Sequence, residues 1–276
     1  MALARRLLGV RYPAAERAWR RSRRALIPDE RRRLRLQRQF AARHGLVVRG
    51  GPFRNLVYVD ETLDARFGFN LAARLLGSYE AELHEVVETV ISSRYDTILD
   101  IGSGDGYYAV GLAIRVPGCT VDAFDPDPAA RSLCAKVAHA NGVRGRVSIR
   151  SGVTTDDLRA YRGRRVFAKV DCEGCELAVL HPAESEVLRA TAILVEIHDF
   201  LHPGATRELL SRFAQTHESH IVEGRPRSRC DYPELESFDD EDAAMLLSER
   251  RPESLRWAFL TPRLEPRVRT ADSARA

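Results

Sequence analysis

Lysine is almost missing from this chain of 276 residues: Lys136 and Lys169 stand alone beside 41 arginines, a bias that a GC-rich coding sequence produces. Long apolar runs are missing too. No stretch approaches the roughly 20 residues needed to cross a bilayer, which excludes a membrane span. Met1 to Val10 carries Arg5 and Arg6 inside its only apolar stretch and so lacks the continuous apolar region of a secretory signal. Cysteine is sparse and odd in number: Cys119, Cys134, Cys172, Cys175 and Cys230. Without a signal, five scattered cysteines read as reduced thiols in a cytoplasmic protein. Internal repeats are absent. Aromatics make up 7% of the chain and no nucleic-acid motif accompanies them, so nucleic acid is not expected as a partner.

The net charge of +4 is unevenly spread. Residues 1–56 hold 16 arginines and three acids, a net of +13, and the remainder carries −9. Residues 1–50 read as an Arg-rich helical arm and residues 51–276 as the main domain. Pro28-Asp29-Glu30 is a helix start and Gly45 a helix stop, with Leu34, Leu36 and Phe40 between them. Such an arm either packs on the body through its few apolar residues or offers a patch to an acidic partner.

The main domain alternates strands and helices. Strands are expected at 97–101, 120–125, 146–150, 166–171, 192–198, 219–223 and 256–261. Helices are expected at 107–115, 127–140, 174–180 and 204–216. Near-continuous apolar strands with intervening helices imply a mostly parallel sheet covered on both faces. The last two strands lack a clear crossover helix and are expected to pair antiparallel. Upstream, Leu56–Val59 reads as a short strand. Ser78 reads as the N-cap of a helix with Leu83, Val86, Val87, Val90 and Ile91 on one face.

The most informative stretch is Asp100-Ile101-Gly102-Ser103-Gly104-Asp105-Gly106, between an apolar strand and a helical pattern. Glycines allow positive φ and a close backbone approach to a ligand, and the following helix points free N–H groups at the turn. A dinucleotide fingerprint would place its third glycine five residues after the first. Here that position is Tyr107, which disfavours a nicotinamide cofactor. Asp125 ends the second strand 19 residues after Gly106, placed to accept hydrogen bonds from ribose hydroxyls or simply to cap a turn.

Two further strands end in chemistry, at Asp171-Cys172-Glu173-Gly174-Cys175-Glu176 and at Glu196-Ile197-His198-Asp199. Ligands of open α/β sheets bind at the carboxyl ends of strands, so these residues should share one crevice with the glycine turn. His198 is the candidate general base by side-chain type, its ordinary pKa lying near neutrality, or else a structural histidine. Glu173 and Glu176 either orient ligands or serve as helix N-terminal acids. Asp171 and Glu196, with His198 and Asp199 nearby, are candidate Mg²⁺ ligands. Cys172-x-x-Cys175 lacks the second pair that structural zinc wants.

Taken in order, four motifs resemble the FkbM family of class I S-adenosylmethionine-dependent methyltransferases. They are Asp100-x-Gly102 with Gly106-Tyr107-Tyr108, the Asp125-Pro126 pair, Lys169 to Glu176, and Val195 to His198, with an upstream Tyr79-Glu80 element. The resemblance covers residues 77–225 and departs from the family at Cys172 and Cys175. It implies a Rossmann-like fold with a seven-stranded, mostly parallel sheet. It implies S-adenosylmethionine as cofactor, held by Tyr79, Glu80, Asp100, Gly102, Ser103, Gly104, Gly106, Asp125, Pro126 and Asp171. It implies O-methylation of a sugar or small-molecule hydroxyl, with His198, Glu173 and Asp171 as catalytic candidates. The competing expectation is an inactive protein of the same fold whose arm engages an acidic partner, a membrane surface or nucleic acid. The sequence sets no oligomeric state.

Overall fold

The computed structural model describes residues 27–64, 70–182, 186–251 and 255–263, so what the sequence suggests for residues 1–26 lies outside the described residues. Seven strands form one sheet: β1 Thr97–Ile101, β2 Thr120–Phe124, β3 Val147–Arg150, β4 Val166–Val170, β5 Ala192–Ile197, β6 His217–Glu223 and β7 Arg256–Pro262. Their order is β3-β2-β1-β4-β5-β7-β6. The first five strands run parallel, while β7 slots between β5 and β6 antiparallel to both. This is the seven-stranded arrangement that the resemblance implies.

The labelled helices are α1 Ile27–His44, α2 Leu71–Leu76, α3 His84–Ser93, α4 Tyr107–Arg115, α5 Pro128–Ala140, α6 Ala205–Phe213 and α7 Asp240–Leu247. Single turns stand at Thr155–Leu158, Glu176–Val179 and Glu186–Arg189. Every residue of β1, β4 and β5 is buried. Side chains alternate between the two faces: Leu194 packs with α1 to α5 and α7, whereas Ile193, Val195 and Ile197 pack with α6 and the single turns. A central parallel strand therefore has to be apolar on both faces, which is why these runs carry no polar alternation.

α1 belongs to the body. Leu36, Phe40 and Ala41 are buried in the same core cluster as α2 and α7. Gln37 accepts the Ala72 N–H, Arg33 donates to the Ser248 carbonyl at 2.7 Å, and Arg32 holds Asp242 at 2.7 Å. Arg32 of α1 thus meets acids of the same chain on α7. We expect Phe40→Ala to cost about 3–5 kcal/mol, the usual loss for an emptied aromatic core site, read as a lowered denaturant midpoint. An unchanged midpoint would mean that α1 does not pack on the body.

Three local expectations are corrected. Ser78 does not cap a helix: its hydroxyl donates to the Ala73 carbonyl, and the chain passes through a 3₁₀ turn at Ala81–Leu83 before α3 begins. Leu56–Val59 forms no sheet strand, only a bridge between Val47 and Val57. The helix expected at 174–180 shrinks to Glu176–Val179, because Cys172 and Cys175 are joined in a disulfide that rounds the preceding turn. The reading of five reduced thiols is likewise corrected; Cys119, Cys134 and Cys230 are free. No helix among the described residues is long and apolar enough to cross a membrane.

Candidate active site

The crevice lies at the carboxyl edge of β1, β2, β4 and β5, and it begins at the glycine turn. Gly102, Gly104 and Gly106 all have positive φ. Two of them answer to the fold: a Cβ on Gly102 would stand 1.7 Å from the Asp171 carbonyl oxygen, and one on Gly106 would stand 2.8 Å from Cys134 Sγ. Gly104 is different, since a Cβ there would meet nothing within 4 Å. The turn is therefore pinned at its ends and open in the middle. Asp125 sets the opening, with Oδ2 accepting the Gly104 N–H at 2.9 Å and Oδ1 accepting the Asp127 N–H at 2.8 Å. Burial raises the Asp125 pKa, and those two backbone donors oppose the rise. Pro126 follows, half-buried, and Asp127 caps α5 by accepting the Ala129 N–H.

Asp100 and Ser103 are buried beside the turn. Both Asp100 carboxylate oxygens and the Ser103 hydroxyl lack hydrogen-bond partners among the described residues. Burial lifts the Asp100 pKa to about 7, partly offset by the Lys169 ammonium. A buried, unsatisfied carboxylate is costly on its own and is relieved by a cationic or donor ligand. These groups, with the open middle of the turn, fit the ammonium and ribose ends of S-adenosylmethionine.

Tyr79 and Glu80 stand on the neighbouring wall. The Tyr79 ring lies between the guanidinium of Arg74 at 4.8 Å and that of Arg251 at 5.5 Å, and meets Tyr107 edge to face at 5.3 Å. Glu80 is fully buried with φ near +49°, accepting from the Tyr108 hydroxyl and from Arg251. Its carboxylate is thus committed within the protein.

Beyond β4 and β5 the acids converge on His198, which is 3% exposed. Nδ1 lies 2.8 Å from Glu176 Oε1, and Nε2 lies 3.7 Å from Glu173 and 3.9 Å from both Asp171 and Glu196. Glu176 also accepts the backbone N–H groups of Cys172 and Gly174, so one carboxylate shapes the turn and faces the ring. Burial alone would lower the His198 pKa. The contact with Glu176 and the charges of Glu176, Glu196 and Glu173 outweigh it and raise the value to about 10. The ring therefore carries both protons at neutral pH, and the window expected from its side-chain type moves upward by several pH units.

Lys169 Nζ holds Asp171 at 2.9 Å, and Arg251 holds Glu196 at 2.7 Å. Burial works against the ionised form of Asp171, but Lys169 and His198 keep its pKa well below the usual carboxylate range. Glu196 goes the other way, pushed up to about 8 by burial and by the charge of Asp171 despite Arg251. Asp171, Glu196 and His198 do offer ligand atoms within 4.8 Å of one another, as a Mg²⁺ site would need. Both carboxylates already carry a cationic partner, Lys169 or Arg251, which a metal ion bound here would have to displace.

Sequence reasoning missed Arg251 and Arg74 as parts of this crevice. Arg251 sits 55 residues after Glu196, in an acidic stretch without a motif. Lys169 was legible only as a neighbour of Asp171: two residues apart on a strand, the pair shares one face.

No family model matches the chain, and no curated protein matches it. Solved structures of similar fold include the O-methyltransferase TomG of Streptomyces achromogenes in complex with S-adenosylmethionine, at 15% identity over 75% of this chain and 92% of that one, with a TM-score of 0.46. An O-methyltransferase from Bacillus cereus in complex with S-adenosylhomocysteine shows 14% identity over 75% and 93%, with a TM-score of 0.45. An rRNA methylase from Streptococcus thermophilus shows 13% identity over 66% and 97%, with a TM-score of 0.46. At such values the likenesses bear on neither substrate nor mechanism. The strand order with its inserted antiparallel β7 defines a Rossmann-like class I methyltransferase fold.

Proposed function

We propose that this protein is an S-adenosylmethionine-dependent methyltransferase of the FkbM type that methylates a hydroxyl group of a small molecule or sugar. The observation that carries the reading is the open middle of the glycine turn, where Asp125 holds Gly104 and a side chain would meet only space. Asp125 retains lone pairs beside its two backbone bonds, and these suit the two ribose hydroxyls. Asp100 and Ser103, buried without partners, suit the amino-acid end. The cofactor, when bound, would supply a sulfonium methyl group for transfer to an acceptor oxygen, the C–S bond breaking and S-adenosylhomocysteine leaving.

The chain's own residues handle the proton. At neutral pH the His198 imidazolium donates from Nε2 towards the acceptor oxygen and steadies the alkoxide left as the hydroxyl proton departs. Asp171, held ionised by Lys169, orients the hydroxyl. Glu173, half-exposed at the mouth and 3.7 Å from His198 Nε2, takes the proton. Its half-exposed carboxylate can then release the proton to solvent.

Isothermal titration tests the cofactor assignment. S-adenosylhomocysteine should bind and NAD should not. Asp125→Ala should weaken binding by about 2–3 kcal/mol, the worth of hydrogen bonds to a charged group. Equal affinity in that variant would remove Asp125 from the site. Binding of cofactor without turnover on any hydroxyl acceptor would favour the inactive binding protein instead.

A further inference from the structure

The proposed chemistry leaves the Cys172–Cys175 disulfide without a task. Yet the bond ties off the turn that runs from the end of β4 into the acid cluster. Asp171 precedes the first cysteine, Glu173 lies between the two, and Glu176 follows the second. Three of the carboxylates that face His198 are therefore borne by residues 171–176, with a covalent tie among them.

The tie holds an uncommon backbone in place. Glu173 and Gly174, the two residues between the cysteines, have φ of +56° and +101°. A glutamate keeps a left-handed conformation only where its surroundings impose it. The turn so formed aims the N–H groups of Cys172 and Gly174 at Glu176 Oε1, at 3.3 and 3.1 Å. That same oxygen stands 2.8 Å from His198 Nδ1. The turn also backs onto the cofactor half, since a Cβ on Gly102 would stand 3.3 Å from Cys172 Cα. Opening the S–S bond therefore loosens the support of His198 and of the glycine turn together.

The bond lies one residue beneath the surface. Both cysteines are buried, but the lip between them is not: Glu173 is exposed and Gly174 half-buried. A short lip that contains a glycine can swing aside, and thiol exchange depends on such access. The exchanging thiol comes from outside the chain's own core. Cys119 and Cys134 pack in the other core cluster, and Cys230 is exposed elsewhere.

We infer that Cys172–Cys175 is a thiol-exchange site for an external dithiol, and that its disulfide form holds the acid cluster in working order while its reduced form releases it. One thiolate of the dithiol attacks a sulfur of the pair, forming a mixed disulfide and freeing the other cysteine, which takes a proton. The second thiolate of the dithiol then displaces the remaining cysteine, which is protonated in turn. Two electrons have passed to the protein, and the dithiol ends as its own disulfide. Glu173 and Gly174 are then free to leave the left-handed region, and Glu176 loses the two amides that fix it beside His198. This inference rests on the methyltransferase reading for its meaning, but not for its test.

The test treats the folded protein with dithiothreitol, a dithiol, and reads three quantities. Alkylated cysteines, counted by mass after denaturation, should rise from three to five. Hydrogen exchange in the peptide spanning residues 171–180 should quicken at least about tenfold as the turn opens. The His198 ring resonances, assigned by their loss in His198→Ala, should shift. Oxidised dithiothreitol should reverse all three changes. The double variant Cys172→Ser/Cys175→Ser should show the fast exchange and the shifted ring from the start, with no response to either reagent. A bond that stays closed in the folded protein would overturn the inference. So would one that opens while exchange and the His198 resonances hold still, even if the melting temperature falls, because the bond would then be a plain staple. The methyltransferase reading is judged apart, by calorimetry of the disulfide form with S-adenosylhomocysteine: no binding there would sink that reading and leave the three readouts as they stand.

Discussion

If His198 acts as proposed, replacing it with alanine should cut turnover by about 10²–10⁴-fold while cofactor affinity stays within twofold, because the ring stands in the acid cluster and not at the glycine turn. The pH behaviour separates the possible roles. A neutral histidine base would lose activity as pH falls below neutrality. With its pKa raised to about 10, His198 stays protonated across that range, so the donor role predicts activity that declines only as pH rises towards 10. On the acid side, the decline should follow protonation of Glu173, since a neutral carboxyl cannot take the proton. Glu173→Gln should remove that acid limb, and turnover should fall with it. A wild-type profile with a midpoint near 6.5 that vanishes in His198→Ala would restore the general-base role instead.

The same shift has a stability consequence with a definite sign. The folded pKa of His198 exceeds that of an unfolded histidine, roughly 6.5. The charged ring therefore stabilises the fold fully below that value, and the contribution is lost as pH rises through about 10. Thermal melts of wild type and His198→Ala should diverge at pH 6 and converge at high pH.

The second large effect is a contrast between two glycines of one turn. Gly104→Val should abolish cofactor binding and leave a folded protein, its β-carbon entering the open space proposed for the cofactor. The left-handed backbone there adds a strain of about 1–2 kcal/mol, which a domain of ordinary stability tolerates. Gly102→Ala should do the reverse and attack the fold, since its β-carbon would fall 1.7 Å from the Asp171 carbonyl, between β1 and β4. Strain and overpacking together should cost about 2–5 kcal/mol, seen as a lowered melting temperature. If Gly104→Val retains wild-type affinity for S-adenosylhomocysteine, the turn does not cradle the cofactor.

Much of the architecture was legible because its signals are local. The apolar runs of β1, β4 and β5, the glycine turn and the Asp127-Pro128 helix start each act within a few residues, so a single stretch of sequence announces them. The convergence of Asp171, Glu173, Glu196 and His198 also followed, since parallel strands of one sheet deliver their carboxyl ends to one edge.

What the tertiary structure alone decided is which charges meet. Ser78 looked like a cap, yet a buried carbonyl of α2 claims its hydroxyl. Cys172 and Cys175 were expected as reduced thiols, and the turn after β4 joins them in a disulfide. His198 has a pKa near neutrality by side-chain type; Glu176 and Glu173 from the turn after β4, and Glu196 from β5, carry it to about 10. Arg251 reaches Glu196 and Glu80 from a segment that no periodicity ties to them. Coulomb energy depends on distance and burial, and residues 55 or 171 apart in the chain acquire both only when the sheet closes around them. Strands, turns and helix starts were written in the sequence itself, while the protonation states and ion pairs of the crevice came into being with the fold.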